Sequence, residues 1–141
     1  MKKYSLRRAG HAPLVFTGIK IASASSFQSS EGIPSMRKAL SRWHEVDVYE
    51  SSAGLYVLGI AFRSTWIGEP EHYDAVTFRD LAELLAWLEA VDPCAHIVGV
   101  PEGVEDSGKK NAAIRKNCVA RWESMISYLM NYLPELSEEV K

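Results

Sequence analysis

The sequence predicts an α+β fold, in which an antiparallel β-sheet of about five strands carries two α-helices packed mainly on one face. Two observations predict the sheet. Residues 42–64 form two alternating segments around a turn, and further alternating segments precede and follow them. A third observation concerns order, because the strand-like segments come first and two segments with helical periodicity follow. Runs of strands followed by helices are typical of α+β folds with antiparallel sheets.

The segment at 42–64 predicts a β-hairpin with a defined register. Gly54 is expected to close a three-residue loop in the left-handed conformation, which is a common solution for hairpins. This loop places Trp43 opposite Arg63, and it puts His44 on the apolar face with the valines of the first strand. We assign the apolar face to the core. The other face is mixed, and we expect another element to cover it; the alternative is a free surface that meets a partner.

Three further strands are predicted, at 3–8, 14–24 and 72–77. Gly18 interrupts the alternation in the second of them, and it therefore predicts a β-bulge. Residues 25–41 are rich in serine and predict a long loop, which is uncommon inside a small domain and is often functional or disordered.

Two helices are predicted after the strands. The first is expected to begin with Thr77 as its N-cap and to end before Pro93. The second is expected at 109–133, where apolar residues recur at helical spacing. Residues 96–100 predict either a short edge strand or an extended link, and residues 135–141 predict a frayed acidic tail.

Size and composition bound the class of protein. A chain of 141 residues fits a single domain, predicted to span 1–141, and it can bury a core without disulfides or metals. Cys94 and Cys118 have no metal-ligand spacing and are expected to stay reduced. Pro13 and Lys20 interrupt the apolar run near the N-terminus, so we predict a strand there and not a signal peptide. These expectations indicate a cytoplasmic protein without a membrane segment.

Charge is distributed unevenly along the chain, although the net charge is only −2. Residues 1–42 hold eight Lys or Arg and one acid, a balance of +7. Residues 43–106 hold two Arg and thirteen acids, a balance of −11, and residues 107–141 hold six bases and four acids, a balance of +2. Such segregation is typical of nucleic-acid or protein contacts. The alternative is internal neutralisation, with a basic N-terminal hairpin lying beside an acidic sheet.

The sequence carries no motif of the common catalytic or phosphate-binding classes, because GxGxxG, GxxxxGK[ST], GxSxG and HExxH are all missing. We therefore expect no cofactor. The nearest metal-ligand group is His72 with Glu69, Glu71 and Asp74, which His44 could approach from the hairpin. The preferred interpretation of that group is a solvated acidic loop. A metal-dependent enzyme around His44 and His72 is the second alternative for the function.

The leading hypothesis is a non-catalytic accessory, regulatory or inhibitory factor that binds another protein. Tryptophan is enriched at interaction hot spots, and Trp66 lies with Ile67 in a connection between strands. The acidic middle segment could steer the protein onto a basic surface. The competing interpretation is that Trp66 folds back onto the sheet. The predicted protein-binding residues are Trp43, Arg63, Trp66, Ile67, Glu69 and Glu71.

The first alternative is nucleic-acid binding through the basic N-terminal hairpin. Aromatic residues in that hairpin, Tyr4 and Phe16, could stack on bases. The acids of the neighbouring hairpin and a pI near 6.1 oppose this alternative, because a nucleic-acid-binding domain is usually basic. The predicted nucleic-acid-binding residues are Lys2, Lys3, Arg7, Arg8 and Lys20.

Overall fold

The computed structural model describes residues 1–27 and 42–133. Within them, five antiparallel strands form one sheet in the order β1-β2-β3-β4-β5, and two helices follow. The predicted α+β class is confirmed. The predicted serine-rich loop from residue 28 onward and the tail at 135–141 lie outside the described residues, whereas Ser25 is the last residue of β2. The elements are β1 Lys2–Arg8, β2 His11–Ser25, β3 Arg42–Ser51, β4 Tyr56–Ser64, β5 His72–Phe78, α1 Leu81–Ala90 and α2 Ser107–Tyr132.

The hairpin of β3 and β4 has the predicted register. Trp43 pairs with Arg63, and His44 pairs with Phe62. Gly54 closes the loop with φ +82°, the left-handed conformation that favours glycine. Its backbone N–H donates to the carbonyl of the last β3 residue at 3.0 Å. The turn therefore fixes the register, and the register in turn decides which side chains enter the core.

Both helices pack on the apolar face of the sheet, as the sequence predicts. This core is formed by valines of β3, Leu58 of β4 and the apolar stripes of the two helices. The indole Nε1 of Trp122 donates to the carbonyl of Leu88 at 3.1 Å, which joins α2 to the end of α1. The most deeply buried members of the core are Val46, Val48, Leu58, Leu84, Leu88 and Leu129.

The sheet curls so that its first strand approaches its last, and the N-terminal hairpin thereby covers part of the second face. The backbone N–H of Ala9, just after β1, donates to the carbonyl of Tyr73 in β5 at 2.7 Å, so the two edges approach each other. Leu6 then lies over Gly59: a Cβ added to that glycine would stand 3.3 Å from Leu6 Cδ1. The predicted cover for the mixed face is thus the N-terminal hairpin, which adds a small second core around the buried Tyr49.

Gly18 does not form the predicted bulge. The register between β2 and β3 shifts between Lys20 and Ala22, which places the irregularity at Ile21. Gly18 instead lies where the backbone of β2 comes very close to that of β3. A Cβ at this position would stand 2.3 Å from the carbonyl oxygen of Glu50, so only glycine fits.

The N-cap of α1 is Asp80, and the prediction of Thr77 is wrong. Strand β5 continues through Phe78, which pairs with Tyr56, and the chain is still extended at Asp80 with φ −147° and ψ 169°. The Asp80 carboxylate accepts from the backbone N–H of Glu83 at 2.8 Å. Tertiary pairing therefore extends the strand by one residue beyond the predicted end, and the N-cap lies three residues later than predicted.

Residues 96–100 form an extended link and not an edge strand. Side chains bond part of this backbone: Val98 N–H donates to Glu69 Oε2 at 2.8 Å. The Asn111 amide exchanges two hydrogen bonds with Val100, accepting from its N–H at 2.7 Å and donating to its carbonyl at 3.0 Å. The predicted second helix is confirmed, with a start two residues earlier than expected. In the described ranges, no helix is both long and apolar enough to span a membrane.

Candidate functional site

A buried carboxylate organises the end of the sheet where β3 begins and β4 ends. The side chain of Glu69 is only 2% exposed. Its Oε1 lies 2.6 Å from Nε of Arg42 and also accepts from the hydroxyl of Ser64 at 2.6 Å. Its other oxygen accepts from the N–H of Val98. The interpretation as a solvated acidic loop is therefore wrong for Glu69, because each of its oxygens is bonded to a different part of the chain.

Glu69 ends a four-residue turn that presents an apolar tip. Its N–H donates to the carbonyl of Trp66 at 3.3 Å, and Gly68 at the third position has φ +80°, which suits the glycine of a type II turn. Ile67 occupies the second position and is fully exposed. Trp66 lies beside it, 40% exposed, with the guanidinium of Arg42 4.7 Å from its ring centre. Trp66 is thus held against Arg42 on one side and open to solvent on the other.

A charged network lies next to this turn on the mixed face of the sheet. The guanidinium of Arg63 lies 6.0 Å from the ring centre of Trp43, the residue predicted to lie opposite it. It also lies 3.4 Å from the carboxylate of Glu45. Its Nε lies 3.1 Å from Glu71 Oε2 without the alignment of a hydrogen bond, so that contact is a Coulombic pair. The Tyr73 hydroxyl donates to the same Glu71 oxygen and, with Arg63, lowers the pKa of Glu71.

These contacts bring the predicted protein-binding residues together. Trp43 and Trp66 line the same cavity, and Trp43, Arg63 and Glu71 follow one another along the mixed face. Glu69 lies beneath them and positions the turn, so it offers no surface of its own. Arg42 is not among the predicted residues, because its role depends on Glu69, which is distant along the chain.

A groove beside α1 is lined by His44, His72 and His96, which do not form a metal centre. His72 and His96 stack with ring centres 3.8 Å apart and planes inclined by 16°, so their faces meet and their nitrogens do not converge on a common point. Across residues 1–27 and 42–133, no group of three or more His, Cys, Asp or Glu is arranged to hold a metal ion. The partner of His72 is therefore His96, which was not among the predicted site residues.

His44 is buried under the sheet, with its ring 4.8 Å from that of Trp122 in an edge-on arrangement. Burial lowers the pKa of His44 to about 4, and the neighbouring His96 and Arg121 add to the effect. Burial also lowers the pKa of His96, with a further contribution from His72. Both imidazoles are therefore neutral at neutral pH, and His44 is a core residue.

The two cysteines are free and approach each other between α1 and α2. Cys94 is buried and Cys118 is half-buried. The Cys94 thiol donates to the carbonyl of Arg115 at 3.7 Å, and the Cys118 thiol donates to the carbonyl of Pro93 at 3.5 Å. Burial raises the pKa of Cys118 to about 12, with Cys94 adding to the rise. A thiol in that state is a poor nucleophile, because the reactive species is the thiolate.

The basic residues of the N-terminal hairpin are partly occupied by contacts within the protein. Lys20 lies 3.4 Å from Asp47 of β3, and the guanidinium of Arg7 lies 5.1 Å from the ring centre of Tyr73 in β5. Arg8 Nε donates to the carbonyl of Ala12 at 2.8 Å. The Lys20–Asp47 pair supports internal neutralisation for part of the segregated charge. Lys2 and Lys3 are exposed at the start of β1.

The aromatic residues of the same hairpin contact one another inside the curled sheet. Tyr4 stacks with Phe16 at 5.4 Å between ring centres, and both contact the ring of Tyr49, at 4.6 and 5.2 Å. Burial raises the pKa of Tyr49 to about 12. Because these rings already pack on each other, they are less available to stack on bases than the sequence suggests.

Comparison of this chain with protein-family models, with curated proteins and with solved structures finds no match.

Proposed function

We propose that this protein acts by binding another protein, through the turn that carries Trp66 and Ile67. The observation that carries the proposal is the full exposure of Ile67 on a turn that a buried carboxylate holds in place. An exposed isoleucine at a fixed position loses little conformational entropy when it enters a partner's pocket. A non-catalytic accessory, regulatory or inhibitory role fits such a surface.

The surroundings of the turn support the same proposal. Trp66 supplies a large, partly exposed aromatic ring, and tryptophan is enriched at interaction hot spots. Arg63, Glu45 and Glu71 form a polar rim along one side of it. An apolar centre with a polar rim is the usual composition of an interface between proteins. Trp43 and Arg63 would then contribute to the rim, and Glu69 would act through the position of the turn.

The proposal is tested by capture of partners on the immobilised, full-length protein from lysate of its native cells. Wild type is compared with Ile67→Asp and with Val104→Asp, a matched control because Val104 is also an exposed apolar residue in a loop. We expect a discrete protein on wild type and on the control variant, and its loss on Ile67→Asp. The recovered protein, once purified, should bind Trp66→Ala roughly thirtyfold more weakly than wild type. Equal binding to all variants would refute the role of the turn.

The same experiment with nuclease treatment tests the first alternative. Nucleic-acid binding through Lys2, Lys3, Arg7, Arg8 and Lys20 predicts that recovery disappears after nuclease, and that affinity falls steeply with salt. Binding between proteins predicts recovery in both conditions.

A further inference from the structure

A cavity of about 370 Å³ lies between the first residues of β3 and the middle of α2. This volume is in the range of small-molecule sites, which combine mostly apolar walls with a few convergent polar groups. Among its lining residues, all in the described part of the chain, none is aspartate or glutamate. Its principal side chains are Arg42, Trp43, Phe62, Trp66, Asn117 and Arg121.

The two arginines of the cavity differ in their partners. Arg42 is neutralised by the buried Glu69. Arg121 is half-buried, and its Nε donates to the carbonyl of Ser26 at 2.9 Å. Among residues 1–27 and 42–133, no carboxylate lies within 4.0 Å of Arg121. Burial lowers the pKa of Arg121, yet a guanidinium stays charged in proteins. Within the described part of the chain, the Arg121 guanidinium of the cavity therefore has no carboxylate partner.

No other titratable group of the cavity can supply the missing negative charge at neutral pH. His44 is neutral, because burial lowers its pKa to about 4. Cys118 stays a thiol, because burial raises its pKa to about 12. An entering anion would thus meet Arg121 without competition from an acid in the wall, and it would do so next to the indole rings of Trp43 and Trp66 and the phenyl ring of Phe62.

We propose that this cavity binds a small aromatic carboxylate, with the carboxylate on Arg121 and the ring against Trp43 and Trp66. Guanidinium groups match carboxylates in a bidentate geometry, and such charge-assisted hydrogen bonds are strong when the site is partly dry. Asn117 adds a side-chain amide that can donate to the same carboxylate. Trp43 and Trp66 belong to both this cavity and the proposed protein-binding surface, whereas Ile67 is not among the lining residues and therefore distinguishes the two.

The test titrates the full-length protein with benzoate, phenylacetate and indole-3-acetate by calorimetry and by tryptophan fluorescence. At least one acid should bind saturably with a dissociation constant of about 1 mM or tighter, and phenylacetamide, the neutral analogue of phenylacetate, about tenfold or more weakly than its acid. Equal affinity for acid and amide would overturn the proposal, as would no saturable binding of any acid up to about 10 mM.

Variants then assign the site. Arg121→Gln should weaken binding of the acid about tenfold or more, because the charge-assisted bonds are lost. Arg115→Gln is the matched control, since Arg115 lies on the same helix, 61% exposed and paired with Asp92. Equal losses in both variants, or no loss in Arg121→Gln, would contradict the assignment. If Arg121→Gln does not fold, Arg121→Lys replaces it in the test. We expect Arg121→Lys to bind the acid more weakly than wild type, because lysine cannot make the bidentate contact. Ile67→Asp should bind the acid like wild type, which separates this inference from the proposed function.

Discussion

Glu69 and Arg42 form a buried ion pair, with 2.6 Å between Oε1 and Nε, across 27 positions of sequence. Neither side chain is well solvated, at 2% and 16% exposure. Because Glu69 also accepts from Ser64 and Val98, the pair joins the start of β3, the end of β4 and the extended link before α2. The position of the Trp66–Ile67 turn therefore depends on one carboxylate.

The first prediction concerns this pair. Glu69→Gln should lower the free energy of unfolding by about 3 kcal/mol, because a mostly buried guanidinium loses its counter-charge. The measurement is equilibrium unfolding in urea. Glu83→Gln is the control, since Glu83 forms an ion pair with Arg79 on an exposed helix surface and its loss should have a small effect.

A double variant distinguishes the effect of an unpaired Arg42 charge from the effect of losing the hydrogen bonds of Glu69. Arg42→Met with Glu69→Leu removes both charges, and it should recover part of the stability lost in Glu69→Gln. A double variant less stable than the single one would show that the hydrogen bonds of Glu69 to Ser64 and Val98 matter more than the charge of Arg42.

The second prediction is a pH dependence of stability that His44 produces. Its pKa is about 4 in the folded protein, against 6.5 for an unperturbed histidine, because burial disfavours the imidazolium. Between these values the unfolded chain binds more protons than the folded one, so stability rises with pH. The contribution is fully present above pH 6.5 and is lost as pH falls to about 4, a change on the order of 3 kcal/mol.

Urea unfolding at a series of pH values checks this sign and window. His44→Phe should flatten the dependence, whereas His11→Gln, a change at an exposed histidine of β2, should leave it as in wild type. His96 adds to the same trend, since its pKa is also lowered. A His44 imidazole that titrates near its ordinary value in an NMR experiment would contradict the prediction.

The third prediction concerns two glycines that differ in their surroundings. Gly18→Ala should cost about 1–3 kcal/mol, because the new methyl group would stand 2.3 Å from a backbone oxygen of β3 that cannot move freely. Gly108→Ala, in the first turn of α2 with open space around it, should gain about 0.5–1 kcal/mol from helix propensity. Thermal unfolding of the two variants provides the comparison. Similar changes in melting temperature for the two variants would mean that β2 and β3 can move apart at Gly18 to accommodate the methyl group.

The fourth prediction concerns the beginning of α1. Asp80→Ala should destabilise the protein by about 1 kcal/mol, because the N–H of Glu83 loses its acceptor. Asp80→Asn keeps an acceptor oxygen and should behave nearly like wild type in the same urea titration. An alanine variant as stable as the asparagine variant would argue against Asp80 as the cap.

Much of the fold could be predicted because its signals are local. The register of the β3–β4 hairpin depends on Gly54 and on the alternation of its strands, and both are visible in neighbouring residues. The two helices follow from apolar spacing in the same way. Where local signals compete with tertiary pairing, the prediction is wrong: Thr77 has a suitable side chain for a cap, but Phe78 after it still pairs in β5, so the helix cannot begin there.

The candidate site could be predicted only in part, because its main contacts are long-range. Tryptophan and isoleucine in a connection indicate an exposed turn, and the structure places them there. Nothing near Glu69 in the sequence indicates that Arg42 neutralises it, or that Arg121 faces the same cavity as Trp66. The stack of His72 on His96 depends on where the chain runs after α1, which no local pattern specifies.

The most direct test of the account places a photo-reactive residue at the tip of the turn. The full-length protein with p-benzoylphenylalanine in place of Ile67 is irradiated in its native cells, and a second sample carries the probe in place of Val104. We expect a discrete, nuclease-resistant adduct to a protein from position 67 and none of that mass from position 104. No adduct at position 67, or the same adduct from both positions, would contradict the claim that this turn binds a protein.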